Sequence, residues 1–395
     1  MFTPYRELFQ IAGAKRISIA GFIARMPIAM DTIAIILFVH SVDSRYTVAG
    51  SLPALAALTT VVSSPLWAKA ADRYGQYLVM RIAVPVRVCA MTGFIFLVLH
   101  NAPIWSWYIA ILLAESASIS FGSMVRRRWV HLIGNRESEL LSRAYALESF
   151  FDEIIYIAGP ILTTAVVATT IPAAGMILGI VFILIGAPLI ATERRSDPAV
   201  SKHEGTEKLK SVLLNRKLQA IAIPLTIAGG SFSAINISVI AFCDEHKVKA
   251  MGGVLLGVWA IGGAVSAIIN GVIQWRISHG VKYLSYLIGM TIISFAFPFI
   301  GSVYILATAL FLQGLCIAPL LPNGLSMISD SIPPRQLTHA ITLATAGIPL
   351  TGAISSFFAG RVIDSYSAAT ALWLPFAFLA VAVISTAPYL REYRS

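Results

Sequence analysis

The chain has 395 residues, 57% hydrophobic and 12% charged, with a formal net charge of +10 and a mean hydropathy of +0.80. That balance excludes a soluble globular protein, because apolar segments recur along the whole length. The three scattered cysteines, Cys89, Cys243 and Cys316, form neither a disulfide framework nor a metal-ligand spacing, and read as packed apolar fillers.

Apolar runs of about 20 residues, each long enough to cross hydrocarbon, fall at 17–40, 47–68, 78–99, 104–124, 142–167, 171–192, 217–242, 250–275, 281–301, 303–329, 338–360 and 368–390. Lipid admits only helices or closed barrels, and runs this long without strict alternation are helices. The predicted fold class is an all-α membrane protein with 12 transmembrane helices in two six-helix bundles, 1–192 and 217–395, joined by a polar linker at 193–216. With the N-terminus inside, Lys and Arg crowd the cytoplasmic segments, whereas Arg45, Lys247, Lys249 and Arg361 are the only basic residues outside. This positive-inside bias predicts that both termini are cytoplasmic. It also makes the net charge a matter of topology rather than of nucleic-acid binding. Residues 1–16 show no cleavable-signal pattern.

Charge inside the spans is the unusual feature. An ionisable group in hydrocarbon costs a few kcal/mol or more, so it pairs, faces a cavity or carries protons. Span 1 holds Arg25, Pro27 and Asp31. Pro27 opens the helical ladder. Arg25 and Asp31 point to different faces, which leaves Arg25 to neutralise an acid on span 4 or span 5. Between spans 2 and 3 lies Ala68-Lys69-Ala70-Ala71-Asp72-Arg73-Tyr74-Gly75-Gln76-Tyr77. Span 3 adds Arg87, placed to snorkel or pair. Span 4 adds Glu115 and ends in Arg126-Arg127-Arg128-Trp129, read as a basic collar with an aromatic anchor for anionic lipid headgroups.

Span 5 carries Glu148, Asp152 and Glu153. Glu148 and Asp152 are one turn apart and share a face, with Glu153 rotated from them. Clustered carboxylates in low dielectric cannot all ionise easily, the property a proton-coupled carrier uses. Asp31, Glu115, Glu148, Asp152 and Glu153 outnumber Arg25 and Arg87, so the expected proton-coupling or cavity-charge set is these acids with Arg25.

The second half is neutral by contrast. Asn236, Gln313 and Asn323 stand among aromatics that include Phe232. Such a surface suits recognition of an amphipathic molecule; the alternative is interhelical hydrogen bonding, about 1 kcal/mol per contact. Leu141–Leu147 in span 5 matches Leu337–Leu343 in span 11, and Asp72-Arg73-Tyr74-Gly75 has a worn counterpart around Trp275-Arg276 and Gly280. Matches at equivalent spans point to duplication, which makes the two bundles pseudo-symmetric.

The segment from Ala68 to Tyr77 resembles the loop 2–3 signature of the major facilitator superfamily, G-x-x-x-D-R-x-G-R-[RK]. Ala68 replaces the first glycine, and Gln76-Tyr77 replace the basic pair. The resemblance extends over essentially the whole chain in span number, 6+6 symmetry and central loop. It implies that Asp72, Arg73 and Gly75 form a latch holding the cytoplasmic side shut through charge–dipole and ion-pair contacts. Gly159-Pro160 is similar to a Gly-Pro pair of drug-exporting members, with Thr163 and Thr164 where further glycines would follow.

The expectation is an alternating-access secondary active transporter in a bacterial cytoplasmic membrane, exporting a small amphipathic or cationic compound against protons. Two alternatives are a proton-coupled importer of a sugar or other small nutrient, and a transporter-shaped sensor or assembly partner. The acid cluster argues against the last. Expected partners are a small-molecule substrate, protons and membrane lipids, with the protein a monomer. No nucleotide-binding motif is present, and neither enzymatic activity nor a cofactor is expected.

Overall fold

The computed structural model describes residues 3–134, 138–198, 216–272, 277–329, 344–345, 347–389 and 393. No strand occurs among the described residues. The helices are α1 Thr3–Gln10, α2 Ala14–Arg25, α3 Pro27–Val42, α4 Tyr46–Tyr74, α5 Gln76–Leu99, α6 Ile104–Ser116, α7 Phe121–Ile133, α8 Ser138–Thr169 and α9 Ala174–Ala191. After the linker come α10 Arg216–Glu245, α11 Met251–Val272, α12 His279–Ala296, α13 Val303–Ser329, α14 Ile348–Ser365, α15 Ala368–Ala371 and α16 Trp373–Ser385.

Eleven helical runs among the described residues are long and apolar enough to cross a membrane. Of the eleventh predicted span, 338–360, most of the earlier residues lie outside the described set, and α14 carries the rest. The repeat partners at 337–343 and 275–276 are outside it too.

Spans 1 and 4 are each broken for a local reason, and span 12 is divided at Leu372 between α15 and α16. Pro27 has no N–H to continue the ladder, so span 1 is α2 followed by α3, with the Met26 amide closing a short turn onto the Ile23 carbonyl at 3.2 Å. Span 4 is interrupted at 117–120, where the Ser120 hydroxyl caps α7 by accepting from the Ser123 amide at 3.4 Å.

The chain divides into two compact units, 1–42 with 59–204, and 43–58 with 205–395. The division differs from the predicted 193–216 boundary by one segment, the first part of α4. Gly50 is the reason it packs there: a Cβ at Gly50 would lie 2.6 Å from both Ile237 Cδ1 and the Ser356 carbonyl. In the first unit, α9 is drawn onto α2 at Gly186, where a Cβ would meet Ala24 backbone nitrogen at 2.5 Å. Small residues permit this proximity between membrane helices. The core there runs through Leu8, Ile17, Val125, Trp129 and Ile190. The second unit's core is built on Leu218, Tyr283, Leu287, Leu320 and Leu379, with Tyr393 stacked on Tyr283 at 6.0 Å between ring centres.

Candidate functional site

The acids predicted inside the first unit gather into two arginine-centred clusters on either side of the Met26–Pro27 break. At the end of α2, Arg25 reaches Glu148 and also donates to Asp152 Oδ1 at 2.8 Å. Glu148 is fully buried and saturated. It accepts from Arg25, from Trp129 Nε1 at 2.8 Å and from Ser18 Oγ at 3.5 Å. Asp152 is 31% exposed and divides its oxygens between Arg25 and Arg126, the latter at 2.7 Å. Glu153 is half-buried and has no ion-pair partner among the described residues.

The second cluster begins in the first turns of α3. Arg87 on α5 bridges Asp31 Oδ2 at 2.7 Å and Glu115 Oε2 at 2.8 Å. Thr60 donates to the same Glu115 carboxylate at 2.9 Å. Gly179 on α9 makes room for Asp31, since a Cβ there would sit 3.1 Å from Asp31 Oδ1. Arg87 therefore pairs, and Arg25 and Asp31 serve different partners.

The count of five acids against two arginines is corrected by Arg126, which enters the span 5 cluster as a third. Sequence spacing could not show this, because α7 and α8 meet only in the fold. The three consecutive arginines of α7 point to three different partners. Arg127 pairs with Asp72 of the predicted latch. Arg128 is fully buried, donating to Gln76 Oε1 at 2.7 Å, the Ile190 carbonyl at 2.9 Å, the Glu193 carbonyl at 2.7 Å and Ser196 Oγ at 2.8 Å. The lipid-facing collar is thus a misreading of Arg128 and of Trp129, both of which are internal. Cys89 is also corrected: it is exposed, not packed.

Of the other latch residues, Arg73 lies over the Tyr74 ring at 5.3 Å. Gly75 has φ +87°, a positive-φ turn that separates α4 from α5 and strains any residue with a Cβ. Gly159 of the Gly159-Pro160 pair brings α8 against α3, where a Cβ would stand 2.7 Å from Ala29 Cβ. Thr163 donates back to the Gly159 carbonyl at 2.8 Å.

In the second unit, both polar ends of Gln313 are engaged: Trp259 Nε1 donates to it at 2.8 Å, and it donates to Ser294 Oγ at 2.6 Å. Asn323 donates to the Pro319 carbonyl at 2.7 Å and lies 2.9 Å from His279 Nδ1. Asn236 donates to the Phe232 carbonyl at 2.9 Å, and Phe232 packs on Trp259 with ring centres 6.2 Å apart. Asn236 and Phe232 therefore adjoin one another, whereas Gln313 and Asn323 are tied to neighbouring helices.

Sequence reasoning passed over three acids at helix ends. Asp364 accepts from the backbone amides of Tyr46 at 2.6 Å and Thr47 at 2.7 Å. Asp244 accepts from the Tyr46 hydroxyl at 3.0 Å, and Glu245 accepts from the Ala368 amide at 2.7 Å. A signal was available. Each sits in the last turn of its own helix, where the helix dipole disfavours negative charge.

The comparisons agree with this architecture. The family profile described as Major Facilitator Superfamily matches residues 17–303 and 277–395. The chain is 24% identical to an uncharacterized MFS-type transporter, y4rN, of Sinorhizobium fredii, over 93% of this chain and 96% of that one. Among solved structures it resembles a mutant form of the nucleoside transporter NupG, with TM-score 0.76, 12% identity and coverage of 95% and 99%. It likewise resembles a bacterial homologue of the iron transporter ferroportin in an inward-facing state, with TM-score 0.69, 14% identity and coverage of 96% and 99%. Identities that low carry the fold alone. With the family profile matched along nearly its whole length, the chain belongs to the major facilitator superfamily of membrane transporters.

Proposed function

We propose that this transporter exchanges protons for a small amphipathic or cationic compound, moving that compound out of a bacterial cell by alternating access. The observation that carries the reading is the Asp152–Glu153 pair. Asp152 is shared by two arginines and partly exposed, whereas its neighbour Glu153 has no cation beside it among the described residues. A carboxylate without a counter-ion in low dielectric takes up either a proton or a cationic group, and the two compete. Competition for one site is the logic of antiport. Glu148, buried and saturated, is the fixed anchor of the cluster, and Asp152 is the member able to change partners. Asp31 and Glu115, joined through Arg87, form a second site of the same kind on the far side of the span 1 break.

Asn236 and Phe232 offer the substrate a hydrogen-bonding group beside an aromatic face. The Asp72–Arg127 pair, with Arg73 and the Gly75 turn, supplies the cytoplasmic latch. Both termini and the linker lie on that cytoplasmic face.

The test is substrate-triggered proton movement in liposomes holding wild type or Asp152→Asn, over a set of small organic cations, sugars and nucleosides. The expected outcome is that at least one cation moves protons through wild type and none does so through the variant. Transport that ignores an imposed pH gradient would sink the proton-coupled reading. Proton movement with a sugar instead of a cation would replace export by nutrient uptake.

A further inference from the structure

We propose that Arg81 and Arg194 hold the phosphate of an anionic phospholipid where α5 meets the end of α9, with its acyl chains lying along the outward faces of those two helices. Charge without a partner is the first argument. Arg81 stands in the second turn of α5, and Arg194 opens the short turn that follows α9. Both are exposed, as is Arg195. None of the three has an ion-pair partner or a side-chain hydrogen bond among the described residues. The carboxylates beside them in sequence are engaged elsewhere: Glu193 lies 3.7 Å from Arg16, and Asp197 lies 3.6 Å from Arg128. Arginine left bare at the edge of hydrocarbon attracts an anionic headgroup.

The arrangement is built rather than diffuse. Arg194 lies over the Tyr77 ring, 5.0 Å from its centre, and a guanidinium seated on a ring keeps its N–H edge for another acceptor. Arg81 follows Tyr77 by one helical turn, so Arg81 and the ring that seats Arg194 share one flank of α5. Two planar forks suit the oxygens of a phosphate. The helices carrying them, α5 and α9, pack against one another. Their outward faces are apolar: Leu78, Ile82 and Val86 run as an exposed stripe on α5, and Val181, Leu184 and Ile185 are exposed on α9. A soluble phosphate would leave that surface uncovered, whereas two acyl chains cover it. Arg81 lays its methylene stem along the stripe and keeps its charged head at the boundary.

The arginine run expected to meet lipid is engaged by the protein instead. Arg126 holds Asp152, Arg127 holds Asp72, and Arg128 holds the α9 end. The headgroup contact passes to arginines that the sequence scatters over two spans.

This inference needs only the membrane setting, so it and the proton-coupled reading can fail independently. Retention of phosphatidylglycerol and phosphatidylcholine by the purified protein is compared by native mass spectrometry. Wild type is expected to prefer phosphatidylglycerol. Arg81→Gln and Arg194→Gln should each weaken that binding about fivefold, and the double variant further. Tyr77→Leu, which keeps both charges but removes the seat of Arg194, should weaken it about two- to fivefold. Lys247→Gln, an exposed cation in the second unit, should leave it unchanged. Raising the salt concentration should release phosphatidylglycerol from wild type, a measurement that needs no variant. Equal retention of phosphatidylcholine overturns the proposal, as does a double variant that binds like wild type. Tyr77→Leu binding like wild type overturns it too, because a diffuse positive field would then account for the preference. Displacement of the lipid by soluble glycerol phosphate at equal concentration would make this a free-phosphate site and likewise overturn it.

Discussion

Arg25→Ala is expected to destabilise the protein by about 3–5 kcal/mol, the usual consequence of removing one partner from a buried ion pair. Glu148 is the reason. It is wholly buried, and without Arg25 its remaining partners are the Trp129 indole and a distant Ser18 hydroxyl. A full negative charge would then sit in apolar surroundings with two neutral donors. Against a total stability of about 5–15 kcal/mol, that loss is large. Glu148→Gln should be milder, about 1–3 kcal/mol, because Arg25 keeps Asp152 at 2.8 Å. Removing both charges together should recover most of the loss. Thermal unfolding in detergent of the two single variants and the double variant checks this. An Arg25→Ala protein as stable as wild type would show that water, rather than Arg25, compensates Glu148.

The second large effect is expected at Arg128. Its guanidinium holds the Gln76 side chain, two backbone carbonyls and Ser196, and lies 3.6 Å from Asp197. It thereby ties the end of α9 and the short turn at Arg194–Ser196 to α5 and α7. Alanine leaves those acceptors in a space that excludes water, a loss of about 3 kcal/mol when charged hydrogen bonds are involved. The turn should come free first, because its remaining ties are Arg194 over the Tyr77 ring at 5.0 Å and the half-exposed Arg16 at 3.7 Å from Glu193. Trypsin cleavage at Arg194 and Arg195 is the direct readout. It should accelerate by about tenfold for each 1.4 kcal/mol of holding energy lost locally. Arg128→Lys should not rescue, since an ammonium cannot span four acceptors set around a planar fork.

Span number and type were legible because hydrocarbon imposes a length and a helix on anything that crosses it. The breaks in spans 1 and 4 differed in visibility. Pro27 announces its break, whereas the gap at 117–120 carries no proline and depends on Ser120 capping α7. The membership of the clusters was legible in part. Glu148 and Asp152 one turn apart implied a shared face, and Arg25 was assigned to span 4 or span 5. The bridging of Asp31 and Glu115 by Arg87 was not legible, since three spans must assemble before those groups meet. Arg126–Arg128 misled because a basic run after a span ordinarily faces lipid headgroups. Here acids on α4 and α8 compete for Arg127 and Arg126. The helix-end acids were missed because attention went to charges in mid-span. An acid at the wrong pole of its helix is equally informative.

The arginine run has a consequence for how such a sequence can vary. Successive residues on a helix point about 100° apart, so Arg126, Arg127 and Arg128 fan out to α8, α4 and the α9 end as neighbours in sequence but not in direction. What is stored there is a phase rather than a quantity of charge. Exchanging one arginine disturbs the contacts of that arginine alone. Inserting a single residue ahead of Arg126 would rotate all three off their partners at once while leaving composition, hydropathy and net charge essentially as they were. Two sequences that look alike by every bulk measure can therefore differ in whether this corner of the protein is wired at all.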